Sequence, residues 1–218
     1  MDVVQILLLI LGGVPTTLSI SLFSFLMGVA IGIPLSFAKT YGGKFPQILV
    51  DGYEKIFRGI PELVLLLMFY FGIGYYIPTP FKNAFFTGIF VLGLRSAANQ
   101  SQVYRGAIRG IGEDQMIVAR SLGLSKLLSI VYVMIPQVFM FSTPGLGSEY
   151  ALLIKDSAYL FFLPGITEML EIANGIRKAT GVTTTPYLIA AFLYILLTFP
   201  IATWLDKWGS RKKKQLGM

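Results

Sequence analysis

The 218-residue chain contains neither cysteine nor histidine. Their absence excludes disulfides, metal sites built on thiolate or imidazole, and catalysis that depends on either side chain. Charged residues are also scarce, at 13%, whereas hydrophobic residues make up 55% and the mean hydropathy is +0.70. Soluble domains carry about 25% charged residues. The sequence therefore predicts an integral membrane protein.

Long apolar runs predict membrane-spanning helices, because the strands of a membrane barrel would show alternating polarity instead. Glycine and proline at 12–15 separate a short interfacial segment at 3–11 from the first span. The predicted fold is all-α and polytopic, with an amphipathic helix at 166–178 and a fourth span broken by Pro136 and by Pro144-Gly145. We expect about five transmembrane helices, at residues 16–37, 63–76, 83–109, 127–154 and 187–205.

The distribution of lysine and arginine predicts the orientation of the chain, because cytoplasmic loops are enriched in both. With the C-terminus in the cytoplasm and the N-terminus outside, thirteen of the eighteen basic residues are cytoplasmic, and they include the run 211–214. Four lie on the other side: Lys82, Lys155, Arg177 and Lys178. The same net charge of +7 could suggest nucleic acid, but the run follows an apolar segment directly, which is typical of a topology signal.

The polar, glycine-punctuated segment 112–137 lies between the third and fourth spans and is predicted to be cytoplasmic. Residues 117–122 can form a short rigid helix, which Gly123 can end in the left-handed conformation. The sequence Ile117-Val118-Ala119 is followed by three residues and Gly123, then by nine residues and Val133-Met134-Ile135-Pro136.

This spacing resembles the cytoplasmic signature of permease subunits of binding-protein-dependent ABC importers, in particular the polar amino acid uptake family of the histidine, glutamine and arginine permease type. That signature reads Glu-Ala-Ala, three residues, Gly, nine residues, Ile-x-Leu-Pro, and Ile117 stands at the glutamate position. Other segments match the family in the same order: Arg58-Gly59-Ile60-Pro61, Ser96-Ala97-Ala98, Tyr104 to Ile108, and Leu152 to Ser157 after Glu149.

The resemblance implies the type I ABC importer permease fold over residues 1–218, with 112–137 as the cytoplasmic coupling loop that enters the fourth span. It implies that the helix in this loop sits in a groove of a separate ATPase subunit. The residues expected to couple the chain to the ATPase are Ile117, Val118, Ala119, Arg120, Leu122 and Gly123. A plain cytoplasmic loop with a glycine-capped helix is the alternative.

Ionisable groups within predicted spans are costly in hydrocarbon and usually face a bundle interior or an aqueous path. Glu149 and Asp156 are seven residues apart and share a helix face, while Arg95, Asn99 and Gln102 recur at helical spacing on the third span. Together with Lys155 they suit a zwitterionic amino acid. The resemblance places an intramembrane substrate site at Glu149, Lys155 and Asp156, with Asn99 as a further candidate. We assign the two carboxylates to a substrate ammonium or basic side chain and Arg95 to a substrate carboxylate. The alternative is that these charges pair with one another and hold the helices together.

The chain has no G-x-x-x-x-G-K-[ST] nucleotide loop and is expected to be a transport subunit, not an enzyme. No cofactor is expected in this chain, because ATP and Mg²⁺ would be bound by the partner. The resemblance implies two copies of a cytoplasmic ATP-binding subunit, a second permease subunit that is identical or related, and an extracytoplasmic solute-binding protein. A transporter driven by an ion gradient, with Glu149 and Asp156 as proton or cation sites, is the main alternative. A membrane-embedded enzyme is a further one.

Overall fold

The computed structural model of the chain describes residues 2–215, except for the side chains at 202, 205, 206 and 208–215. Within this part of the chain the ordered segments are helical and no strand occurs, which confirms the all-α prediction. The basic run 211–214 lies outside the described side chains. The labelled helices are α1 (Val3–Leu11), α2 (Val14–Tyr41), α3 (Lys44–Gly59), α4 (Glu62–Tyr76), α5 (Ala84–Ile111), α6 (Asp114–Ser121), α7 (Lys126–Phe162), α8 (Met169–Thr180) and α9 (Thr184–Gln215).

Helix α5 is the centre of the bundle and packs against α2, α3, α4 and α7. Its closest neighbour is α2, which approaches it at Gly28 and Gly32. A Cβ atom at Gly28 would lie 2.3 Å from the amide nitrogen of Gln100, and one at Gly32 would lie 3.0 Å from the carbonyl oxygen of Ala97. Because glycine has no side chain, the two long helices can pack closely at these positions, as helices with small residues commonly do in membranes.

Three apolar clusters fill the described structure. The first lies between α2, α4, α5 and the end of α7 around Leu66 and Leu92. The second surrounds Tyr104 and joins α5 to α6 and α7. The third packs α1 against α8 and α9 around Ile10 and Met169. Because α6 contributes Met116 to the second cluster, the segment between α5 and α7 packs against the bundle.

Length and composition identify three candidate membrane spans in the described residues: Val3–Tyr41, Lys126–Phe162 and Thr184–Ile201. A fourth arises if α3 and α4, which are bent by 99° relative to each other, form one span. Helix α5 is long enough to cross a bilayer, at 28 residues, but carries polar residues that the bundle buries, such as Ser96, Gln100 and Ser101. The number of five spans stays a prediction.

The predicted break at Pro144-Gly145 is wrong, because the helix continues through both residues to Asp156. Proline cannot donate a backbone hydrogen bond to the carbonyl four residues earlier, which here belongs to Met140. The hydroxyl of Thr143 donates to that carbonyl at 3.0 Å and so compensates for the loss. Pro136 does not break the helix either. It follows a π-helical turn at Ile130–Met134, where each backbone hydrogen bond joins residues five apart instead of four.

Candidate substrate site and coupling segment

Helix α7 presents both of its predicted carboxylates to α5. Glu149 and Asp156 are buried, with 4% and 9% of their surfaces exposed. Asp156 contacts Arg95 and Glu149 contacts Asn99, and these two partners are four residues apart on α5. One face of each helix therefore forms a polar seam inside the bundle, as the helical spacing predicted.

Arg95 lies between two carboxylates at one end of this seam. One of its terminal nitrogens lies 2.5 Å from Asp156 and the other 2.6 Å from Glu62 of α4. All three side chains are mostly buried, with 12% to 24% of their surfaces exposed. The planar guanidinium can serve two carboxylates at once. This triad ties α4, α5 and α7 together.

Glu149 lies at the other end of the seam in different surroundings. Its two oxygens accept hydrogen bonds of 3.2 and 3.5 Å from the Asn99 amide. Among the described side chains, no lysine or arginine nitrogen is within ion-pair distance of it. Since a buried carboxylate is costly without a compensating charge, Glu149 is the group of this seam best placed to accept a cation.

Asn99 connects Glu149 to Arg58, an exposed residue near the end of α3. The Nε of Arg58 donates a 3.1 Å hydrogen bond to the side-chain oxygen of Asn99, whose amide nitrogen donates to Glu149. A cationic and an anionic side chain are thus held on opposite sides of one amide. Neither has an ion-pair partner in the described part of the chain.

Two other predicted site residues are placed differently. Gln102 donates to Glu54 of α3 at 3.3 Å, beside the bidentate ion pair that Glu54 makes with Arg105, so it belongs to a separate α3–α5 contact. Lys155 is exposed on α7 next to Asp156. The structure therefore brings Glu149, Asn99, Arg95 and Asp156 into one seam, with Lys155 at its edge and Gln102 outside it.

Sequence reasoning missed Arg58 and Glu62 as parts of this seam. Both flank the Gly59-Ile60-Pro61 segment, where the chain turns between α3 and α4. The family match at Arg58 to Pro61 pointed to this segment, but only as a motif that opens the second span. The available signal was a charged residue on each side of a proline. A proline can interrupt a membrane helix, and an interrupted helix is tolerated where it is buried in protein or lines a cavity.

The coupling segment forms the helix α6 at Asp114–Ser121, which begins three residues before the predicted helix and ends one residue before it. Gly123 has a φ of +88°, which confirms the left-handed termination. The Leu124 N–H donates to the Ala119 carbonyl and the Gly123 N–H to the Arg120 carbonyl, a pattern that closes a helix end. This termination directs the chain back toward α7.

Helix α6 exposes apolar side chains on its outer surface. The exposed fractions are 58% for Ile117, 56% for Val118 and 79% for Leu122, and Arg120 and Gly123 are exposed as well. Ala119 and Met116 face the bundle and are buried. An exposed apolar surface on a short, anchored helix is typical of a protein–protein contact. Five of the six predicted coupling residues are accessible, and Ala119 is not.

Clusters of three or more acidic residues suited to a metal ion do not occur among the described side chains. The seam contains amide and guanidinium donors beside its carboxylates, a mixed set that suits an organic zwitterion better than a hard cation with oxygen ligands.

Comparisons with known proteins agree with these features. The arginine ABC transporter permease protein ArtQ of Haemophilus influenzae is 33% identical over 190 residues, which cover 84% of this chain and 83% of ArtQ. The putative glutamine transport system permease protein GlnP of Rickettsia prowazekii is 32% identical, over 92% of this chain and 93% of GlnP.

The fold is similar to a chain of a solved structure, an amino acid ABC transporter with histidines. The TM-score is 0.82 at 27% identity, and the match covers 97% of this chain and 99% of that one. The model of the family described as binding-protein-dependent transport system inner membrane component matches residues 28–214. The chain therefore belongs to the binding-protein-dependent transport system inner membrane components.

Proposed function

We propose that this chain is the permease subunit of an ATP-driven importer of polar or charged amino acids, and that Glu149, Asn99 and Arg58 bind the substrate within the membrane. The relatives named above are permeases for arginine and glutamine, and the similar solved structure is an amino acid transporter. The main alternative, a transporter driven by an ion gradient, has no counterpart among these relatives.

The observation that carries the substrate site is the position of Glu149 and Arg58 on opposite sides of Asn99. An amino acid has an ammonium and a carboxylate on one carbon atom, so it can place one charge against each side chain. Asn99 can bond either charged group with its amide. Glu149 thus takes the substrate ammonium or a basic side chain, and Arg58 takes the carboxylate.

Arg95 was expected to bind the substrate carboxylate, and this role is open to it only if it leaves Glu62 or Asp156. Its two ion pairs support the alternative that Arg95 and Asp156 hold the helices together. Lys155 lies at the edge of the seam, where it can act on a substrate that enters or leaves. Gln102 acts on the site through its contact with Glu54, which also binds Arg105.

Importers of this family work with an ATPase and a solute-binding protein. We propose the assembly that the sequence suggested: two permease subunits, identical or related, with two ATP-binding subunits that carry ATP and Mg²⁺. The exposed surface of α6 around Ile117, Val118 and Leu122 docks on the ATPase. Since Ile117 replaces a glutamate of the family pattern, this contact depends on shape and apolar burial more than on charge.

The substrate site is tested by amino-acid uptake into vesicles that contain the assembled importer. We expect Glu149→Gln to lower uptake at least tenfold, because a hydrogen bond to a charged group contributes roughly 1.5 to 3 kcal/mol. Glu171→Gln, on α8 outside the seam, is the matched control. Unchanged uptake kinetics in Glu149→Gln would overturn the site. Uptake that continues without ATP while an ion gradient is held would overturn the ATP-driven mechanism.

A further inference from the structure

An apolar slot of about 510 Å³ opens between α2, α7 and α9. This slot is lined by Leu22, Phe25, Phe139, Leu146, Ile201 and Trp204, together with Thr143 and Tyr150. All three helices contain candidate membrane spans, so the slot faces the bilayer unless protein covers it. Its volume is in the range of small-molecule sites.

The lining of the slot is mostly apolar and offers few hydrogen-bonding groups. The hydroxyl of Thr143 already donates to carbonyls of its own helix. The ring of Tyr150 packs edge-on against Phe25, with 5.3 Å between the centroids. The remaining wall is hydrocarbon and aromatic. A flexible methylene chain matches such a surface, since it fills an irregular groove and buries no polar group of its own.

The slot continues into a second recess near the C-terminal end of α9. Ile201 and Trp204 line both, and the second recess adds Pro200, Thr203 and Lys207. Lys207 is exposed and lies one helical turn beyond Trp204. The combined groove is therefore apolar along its length and cationic at one end, which is the complement of an anionic amphiphile.

We propose that this groove binds an anionic phospholipid, with an acyl chain in the slot and the phosphate headgroup at Lys207. A lipid is the occupant that the surroundings supply, because lipid surrounds membrane-spanning helices. The cationic end distinguishes the groove from a surface that any lipid would cover equally. The proposal is independent of the substrate site, since none of the groove residues belongs to the seam around Glu149.

The two tryptophans of the chain, Trp204 and Trp208, allow a direct test. In a Trp208→Phe background, Trp204 is the tryptophan that remains. Bromine on a lipid acyl chain quenches its fluorescence when that lipid is in contact with it. The full-length chain is reconstituted in mixtures of brominated phosphatidylglycerol and phosphatidylcholine. We expect the anionic lipid to be preferred at Trp204 about fivefold, the effect of one basic side chain near a membrane surface.

The variant Lys207→Gln should reduce this preference to about one, whereas Lys44→Gln, which removes an exposed lysine at the start of α3, should leave it unchanged. Equal quenching by both lipids, or a preference that survives in Lys207→Gln, would overturn the proposal. Weak quenching of Trp204 by both lipids would mean that protein covers the slot. Competition by inorganic phosphate in solution would assign Lys207 to a soluble anion. Both of these results would also overturn it.

Discussion

Glu149 and Asp156 occupy the same face of α7 but have different partners, and this difference separates their roles. Asp156 shares the guanidinium of Arg95 with Glu62, whereas Glu149 has only neutral donors among the described side chains. Breaking a buried ion pair costs about 3 to 5 kcal/mol, because an uncompensated charge remains. We therefore expect substitutions in the triad to affect stability first, and substitutions near Glu149 to affect transport first.

The two arginines provide the sharpest comparison at the scale of single residues. Arg95→Gln leaves two carboxylates without a cation, so we expect it to lower the free energy of unfolding by about 3 kcal/mol. Arg58→Gln removes an exposed side chain and should change stability by less than about 0.5 kcal/mol. We expect it instead to raise the KM for uptake roughly tenfold. Thermal unfolding in detergent and uptake kinetics measure the two effects, and equal loss of stability in both variants would contradict the assignment.

Individual site residues could be predicted from the sequence where a single helix positions them. The spacing of Glu149 and Asp156, and of Arg95 and Asn99, defined two faces that do meet. The partners Glu62 and Arg58 could not be predicted in this way, since they come from helices 33 to 41 residues away in sequence from Arg95 and Asn99. Periodicity describes one helix and carries no information on which helices are neighbours.

At the scale of elements, α6 depends on how its last turn ends. No atom lies within 4 Å of a Cβ built at Gly123, so a substitution there meets no clash, and its cost comes from the φ of +88° alone. A left-handed conformation costs a residue with a side chain about 1 to 2 kcal/mol, and a β-branched residue is a strong outlier there. Gly123→Val should therefore change how the chain leaves α6.

We expect Gly123→Val to lower the amount of substrate transported per ATP hydrolysed, because a coupling helix transmits movement only through a rigid contact. Gly110→Val is the control. A Cβ built at Gly110 also meets no atom within 4 Å, but Gly110 lies inside α5 and has no positive φ. The measurement is the ratio of uptake to ATP hydrolysis in vesicles that contain the complete importer. An equal ratio in both variants would show that the end of α6 is not needed for coupling.

The close contact between α2 and α5 predicts how substitutions of glycine change the stability of the bundle. A Cβ at Gly28 meets the amide of Gln100, which cannot move away easily because it is fully buried and bonded to Phe25, Ser96 and Tyr104. We expect Gly28→Ala to lower the free energy of unfolding by about 1 to 3 kcal/mol. Gly52→Ala in α3 meets nothing within 4 Å and should stabilise the helix by up to about 1 kcal/mol. Thermal unfolding of the two variants should thus shift in opposite directions, and parallel shifts would count against close α2–α5 packing.

Element positions follow from local signals, and their deviations have local causes. Four of the five predicted spans each lie within one helix, and the fifth, 83–109, begins one residue before α5. Helix ends extend past the apolar core because residues beyond it can continue the backbone hydrogen bonds. Helix continuity at Pro144 could not be predicted from the proline itself, since it depends on the hydroxyl of Thr143. Hydropathy alone does not identify α5 as a span, because the bundle buries polar residues of this helix.

At the scale of the whole molecule, orientation decides what each surface can contact. The exposed face of α6 can meet an ATPase only if it lies in the cytoplasm. The count of basic residues, thirteen against four, predicts that 112–137 and the C-terminus lie on that side and that the N-terminus lies on the other. Lys126 and Arg120 lie in or beside this segment, and both are exposed. The opposite side would carry Lys82 and α8.

The absence of cysteine makes this orientation directly testable, because one introduced thiol is then the only one in the chain. Gln115→Cys in α6 and Lys178→Cys in α8 both place the thiol at an exposed position. A membrane-impermeant maleimide added to intact cells should label Lys178→Cys, whereas Gln115→Cys should react only after the membrane is opened. Loss of the charge of Lys178 leaves a large excess of basic residues on the cytoplasmic side, so the substitution itself should not invert the chain. Labelling of Gln115→Cys in intact cells would put α6 outside and would remove the docking role of its apolar surface.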